Sequence, residues 1–181
     1  DLRGHGYSEK PLQQYGDSRL WADDVRAVTE ELGLNRPVLI GWSYGGRVIL
    51  DYIRCYGDDR IGGIHFIGIG SRQNRNMERA DEGAVQSYRA GRFSRDVGES
   101  AAAMETFVKM CVGPNLSDEE LFFFLGIAMY VPPHVRRQLM ERPFDYDEEL
   151  AGIRKPVLIA HGTKDGITDP DAANYNAMKI G

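Results

Sequence analysis

From Asp17 to Gly33 the apolar residues Trp21, Val25, Val28 and Leu32 recur at spacings of four, three and four, which sets them along one face of a helix. Asp17 or Ser18 supplies the cap, Asp23 and Asp24 lie in early turns where the helix dipole favours negative charge, Gly33 can close the helix, and Pro37 stops its continuation. The pattern then changes. Val38-Leu39-Ile40, Ile64-His65-Phe66-Ile67-Gly68-Ile69 and Val157-Leu158-Ile159-Ala160 are short, nearly unbroken apolar runs, as expected of parallel strands covered on both faces. Between the first two, Val48, Ile49, Tyr52 and Ile53 carry a second helix up to Gly57-Asp58-Asp59.

Strands alternating with helices predict an α/β fold built on an open, doubly wound parallel sheet. The interval from Ser71 to Arg154 breaks the rhythm. It holds helical patterns over about Met77 to Gly91, Arg95 to Val112, Asp118 to Tyr130 and Pro133 to Glu141, and no convincing strand. Ser117-Asp118-Glu119-Glu120 is a capping signal ahead of Leu121-Phe122-Phe123-Phe124. We therefore expect residues 1–70 to begin a sheet core, residues 71–154 to form a helical cap or lid inserted into it, and residues 155–181 to continue the core.

Composition narrows the function classes. Formal net charge is −5 and the 22 Lys and Arg form no long block, so capture of nucleic acid is not expected. The longest apolar stretch, Leu121 to Val131, contains Gly126 and falls short of the ~20 residues that span a bilayer. Cys55 and Cys111 follow no CxxC spacing and suit a reducing, cytoplasmic compartment. There is no metal-ligand cluster, and Gly4 and Gly6 lack the GxGxxG spacing of a dinucleotide loop, so neither metal nor cofactor is expected. The chain opens on Asp1 inside a turn-like segment and stops at Gly181 after one helical stretch, which suggests a piece of something longer.

Gly41-Trp42-Ser43-Tyr44-Gly45 stands at the junction of the first strand and the second helix. A chain reversal this sharp forces the serine into a strained conformation and leaves little room two residues to either side, which Gly41 and Gly45 accommodate. It also lifts the Ser43 hydroxyl above the sheet and aims the Tyr44 N–H toward a forming oxyanion. The plain alternative is a Gly-rich turn with an incidental serine. In open α/β sheets ligands bind beyond the carboxyl ends of the strands. Asp165, in His161-Gly162-Thr163-Lys164-Asp165-Gly166 after the last strand, is placed to orient a histidine. Asp169 competes with it, but an Asp before Pro170 is already explained as a helix cap, and both aspartates could serve turns only.

Together these residues resemble the α/β-hydrolase superfamily, in its cap-bearing esterase and non-haem peroxidase-like branch. Asp1 to Ser8 looks like the loop after the family's fourth strand, Gly41 to Gly46 like its nucleophile elbow, Ser71 to Arg154 like its cap, and Lys155 to Pro170 like the segment carrying the triad acid. The resemblance implies a serine hydrolase, most simply of carboxylic esters, with Ser43 as nucleophile, Asp165 as triad acid and the Tyr44 N–H in the oxyanion hole. Trp42, Phe122, Phe123 and Tyr130 are candidates for an apolar acyl pocket, or for packing. A small acyl substrate is the implied partner, with no nucleic acid, membrane or cofactor. The family's catalytic histidine follows a further strand and helix, beyond Gly181, and none of His5, His65, His134 and His161 is a ready substitute. The chain by itself is therefore expected to be a poor catalyst. Perhydrolase, lactonase and carbon–carbon hydrolase chemistry share the same triad, and a non-catalytic binding or scaffold role is the alternative from another class.

Overall fold

The computed structural model describes residues 1–72, 82–113 and 115–181. They group into two compact units, Asp1–Gly16 with Met77–Arg142, and Asp17–Asn76 with Pro143–Gly181. The first sixteen residues thus group with the helices, and the stretch from Pro143 onward groups with the sheet.

The sheet unit contains three parallel strands, β1 (Val38–Trp42), β2 (Gly63–Ile67) and β3 (Val157–Ala160), in the order β1-β2-β3. Its helices are α1 (Ser18–Glu31), α2 (Tyr44–Tyr56), α7 (Asp147–Gly152) and α8 (Asp171–Ile180). Register places Leu39 beside Ile64, Gly41 beside Phe66, and Ile64 and Phe66 beside Val157 and Ile159, so these side chains share one face. That face is the core, closed by Ala22, Ile49, Leu50, Tyr52, Ile53, Tyr146, Leu150 and Ile153. At about 25 cal/mol per Å2 of apolar surface, burial of this cluster is the main favourable term holding the sheet to its helices. The opposite face departs from the expectation of two-sided cover: Val38, Ile40, Trp42 and Leu158 remain 60 to 67% exposed. The strands are apolar on both sides, but only one side has been given a partner among the described residues.

Asp17 caps α1 by accepting the Arg19 N–H at 2.8 Å. The expected apolar stripe on α1 is only partly buried. Trp21 is fully enclosed and Val25 packs on the core, whereas Val28 and Leu32 lie 57 and 65% exposed because the helix outruns the core it covers. Asp23 and Asp24 fall outside the first helical turn, so the dipole argument does not apply to them; Asp23 instead accepts from Arg19 and from the Tyr56 hydroxyl. In α2, Gly57 closes the helix at φ 67°, returning its N–H to Ile53. The short helix α7, which the periodicity did not reveal, brings Tyr146 to the buried Asp51, whose carboxylate accepts its hydroxyl at 2.9 Å. Ser71 and Asn176, both buried, bond at 2.6 Å and fix α8 to the chain leaving β2.

The helical unit contains α3 (Glu82–Gly91), α4 (Val97–Val112), α5 (Asp118–Met129) and α6 (Pro133–Glu141). These match the expected helices, except that residues 77–81 of the first lie outside the described residues. Tyr88, Ala103 and Met104 form one buried cluster in it, with Phe107 stacked on Tyr88 at 5.2 Å. The capping box is complete: Ser117 Oγ accepts the Glu120 N–H at 3.2 Å, and the Glu120 carboxylate accepts the Ser117 N–H at 2.9 Å. Arg136 is buried and donates to the carbonyls of Val131 and Arg92 and to Ser100 Oγ, tying α6 to α4. His134 is half-buried, with Nε2 donating to the Pro11 carbonyl at 3.2 Å.

Candidate active site

Ser43 follows β1 directly and precedes α2. Its N–H donates to the Ile67 carbonyl at 2.9 Å, extending the β1-β2 ladder by one residue, and its own carbonyl accepts the Gly46 N–H at 3.0 Å as the helix begins. Between these two demands the backbone has φ 51° and ψ −118°, a conformation that a side-chain-bearing residue occupies at a cost of about 1–3 kcal/mol. The hydroxyl makes no capping bond to α2, and the residue is exposed. Tyr44 is the first residue of α2, so its N–H points toward the helix N-terminus, where the dipole favours negative charge.

The glycines have different duties from those the pentapeptide suggests. A Cβ on Gly41 would lie 2.7 Å from both the N and Cα of Gly46, so β1 and α2 touch backbone to backbone there. On Gly46 it would lie 2.3 Å from Ile69 Cγ2. On Gly45 it would meet no described atom within 4 Å, so the expected crowding two residues after the serine falls instead on Gly46, one residue later. Helix geometry explains the shift, since the third residue of α2 is the one turned back toward the strands.

Asp165 lies in the loop after β3, at the same end of the sheet. Its Oδ1 accepts the N–H groups of Ile167 at 2.8 Å and Thr168 at 3.0 Å, and its Oδ2 lies 3.0 Å from His161 Nε2. Gly68, at φ 57°, leaves β2 beside this carboxylate: a Cβ there would come within 3.4 Å of Asp165 Oδ2 and 4.0 Å of Trp42 Nε1. The ends of all three strands thus converge around Gly68. Asp169 stands one residue before Pro170, which occupies the N-cap position of α8, and its Oδ1 accepts the Asp171 N–H at 3.0 Å. The sheet unit therefore assembles Trp42, Ser43, Tyr44 and Asp165. Sequence reasoning missed Gly68 and the bond from His161 to Asp165; the His-x-x-x-Asp spacing on a strand-end loop was the signal available for the latter.

Phe122, Phe123 and Tyr130 belong to the helical unit. They are 78, 64 and 54% exposed, and α5 buries none of its residues, so they do not serve as that unit's own core. Tyr130 is approached edge-on by Tyr7 at 5.8 Å, and Lys10 Nζ stands 5.6 Å from the centre of its ring. His5 Nδ1 faces the Arg3 carbonyl, and burial pulls its pKa below the ordinary 6.5.

A strained serine at a strand-to-helix turn, with a helix N-terminus behind it and a loop-held carboxylate at the same end of a parallel sheet, defines the nucleophile-elbow class of α/β proteins. The family model for the alpha/beta hydrolase fold matches residues 1–180, and the chain belongs to that family. It is 29% identical to the AB hydrolase superfamily protein YisY of Bacillus subtilis (strain 168), over 96% of this chain and 65% of that protein. It is also 29% identical to a non-heme chloroperoxidase of Streptomyces lividans, over 98% of this chain and 67% of that protein. The crystal structure of the esterase RhEst1 from Rhodococcus sp. ECU1013 superposes with a TM-score of 0.86 at 34% identity, covering 99% of this chain and 66% of that one. The chain thus spans 65 to 67% of the length of these relatives. No described helix is long and apolar enough to cross a membrane.

Proposed function

We propose that the protein is a serine hydrolase of carboxylic esters, acting through an acyl-enzyme. The observation that carries this reading is the position of Ser43, exposed at φ 51° and ψ −118° between the end of β1 and the N-terminus of α2; positive φ also occurs at Gln14 and Arg36, but neither of those opens a helix at the end of a strand. Ser43 Oγ attacks the acyl carbon, a histidine takes its proton, Asp165 holds that histidine, and the Tyr44 N–H stabilises the oxyanion. In the sheet unit the exposed ring of Trp42, next to Ser43, offers apolar surface for an acyl group; in the helical unit Phe122, Phe123 and Tyr130 expose apolar rings of their own. Cys55 and Cys111, neither of which is in a disulfide, suit a cytoplasmic setting.

The histidine of this triad is not among those of the sheet unit. His65 lies in mid-strand, and His161 Nε2 is committed to Asp165 and the Thr168 carbonyl. In the helical unit His5 Nδ1 faces the Arg3 carbonyl and His134 Nε2 the Pro11 carbonyl, so residues 1–181 alone should turn over esters poorly. Likeness to a chloroperoxidase favours perhydrolysis as a second reading, with hydrogen peroxide in place of water at the deacylation step. A fluorophosphonate probe and p-nitrophenyl acetate test the first reading on the longest form of the protein that its gene encodes. Labelling and turnover that disappear in Ser43→Ala are expected; a folded protein that is never labelled would overturn it. Peracid formation from acetate and peroxide tests the second.

A further inference from the structure

The loop after β3 is closed by one side chain. His161 Nε2 faces Asp165 Oδ2 at 3.0 Å and the Thr168 carbonyl oxygen at 3.1 Å. Both are acceptors, so the ring hydrogen sits on Nε2 and is shared between them. Nδ1 is buried with no described hydrogen-bond partner. The imidazole is 5% exposed, against 22% for the Asp165 side chain, so the bond is made on the shielded side of the carboxylate.

The torsion that orients a carboxylate is soft and nearly two-fold, so a carboxylate held at one oxygen alone can swing. Here the Ile167 and Thr168 N–H groups hold Oδ1 and the imidazole holds Oδ2. Gly68 keeps the approach to Oδ2 free of a side chain, since a Cβ there would stand 3.4 Å from that oxygen. We infer that His161 is a positioning residue: its Nε2–H fixes Asp165 Oδ2 from the buried side and leaves that oxygen's other lone pair turned toward the histidine that serves Ser43. This rests on the reading of Asp165 as the triad carboxylate. His161 itself exchanges no proton with substrate.

Ester turnover by the longest encoded form of the protein tests it, with His161→Phe, His161→Gln and Asp165→Asn compared. Phe keeps the ring volume and removes the donor; the amide of Gln reaches the place of Nε2. His161→Phe is expected to lower kcat by about tenfold, the worth of one charge-assisted hydrogen bond, with KM unchanged within about twofold. His161→Gln should recover most of the loss, and long-range 1H–15N spectra of the unmodified protein should place the His161 hydrogen on Nε2. Full activity in His161→Phe together with loss in Asp165→Asn overturns the positioning role and leaves the triad reading standing. Full activity in Asp165→Asn overturns the triad reading, and the positioning role with it. Equal losses in the Phe and Gln variants, with lowered melting temperatures in both, reduce His161 to a packing residue and overturn the inference.

Discussion

Replacing Gly41 with Ala should damage the fold far more than replacing Gly45, although the two glycines flank Ser43 symmetrically in sequence. A Cβ on Gly41 would stand 2.7 Å from two backbone atoms of Gly46 and 2.7 Å from Ile49 Cδ1. Relief requires α2 to move away from β1, and α2 carries Val48, Ile49, Leu50, Tyr52 and Ile53 into the core. Overpacking that a side chain can relax costs about 1–3 kcal/mol, and this contact, being with backbone, belongs at the upper end. Gly45 lies in the first turn of α2 with no described atom within 4 Å of its Cβ position. There Ala should gain up to about 0.5–1 kcal/mol by restricting the unfolded chain and favouring helix. The variants should differ by about 3 kcal/mol, roughly a hundredfold in the folding equilibrium. Urea unfolding followed by Trp21 fluorescence is the assay, since Trp21 is fully buried and its ring lies 5.4 Å from that of Tyr44. Equal stabilities for the two variants, or a Gly45→Ala loss as large as that of Gly41→Ala, would refute the assignment of the close contact.

Ser43→Gly should stabilise the protein by about 1 kcal/mol through release of the φ 51° strain while abolishing fluorophosphonate labelling; unchanged or lower stability in urea would count against strain at this residue. Partial burial works to raise the Asp147 pKa, but the Tyr175 hydroxyl and Lys179 outweigh it and hold it below the ordinary 3.8. A depressed carboxylate pKa contributes stability in full above the unfolded value and loses it as pH falls through the folded one. The stability gap between the unmodified chain and Asp147→Asn should therefore be constant near neutrality and close below pH 3.8, and a gap independent of pH would remove Asp147 from the acid response. The exposed strand face predicts self-association of the isolated chain, reduced in Ile40→Lys, since Ile40 is 67% exposed at mid-strand; light scattering that shows a monomer before substitution would contradict this.

Much of the fold was legible because local rules and tertiary contacts agree. The strand-helix alternation, the Asp17 cap and the Ser117 capping box each depend on neighbours a few residues away, and each is present. The sheet face bearing Val38, Ile40 and Trp42 was misjudged because apolar runs report what a strand is able to bury, and cover depends on what else packs there. Helix α7 escaped because six residues hold too few turns for a period to show. At the site, the pentapeptide marked Ser43, but the role of each glycine depends on how close α2 comes to β1 and Ile69, distances that no motif states.

Where the chain must turn, where its helices begin, and the seat of a serine between an apolar strand and an amphipathic helix were all readable from the residues alone. These follow from residue types within one or two turns of each other. Packing between distant segments, by contrast, makes Gly46 rather than Gly45 the crowded position, sets Gly68 between Trp42 and Asp165, and brings His161 onto that carboxylate. The ladder from Ser43 to Ile67 and from Gly68 to Ala160 brings those residues to one sheet edge, and the side chains available at that edge follow from strand register across long sequence separations.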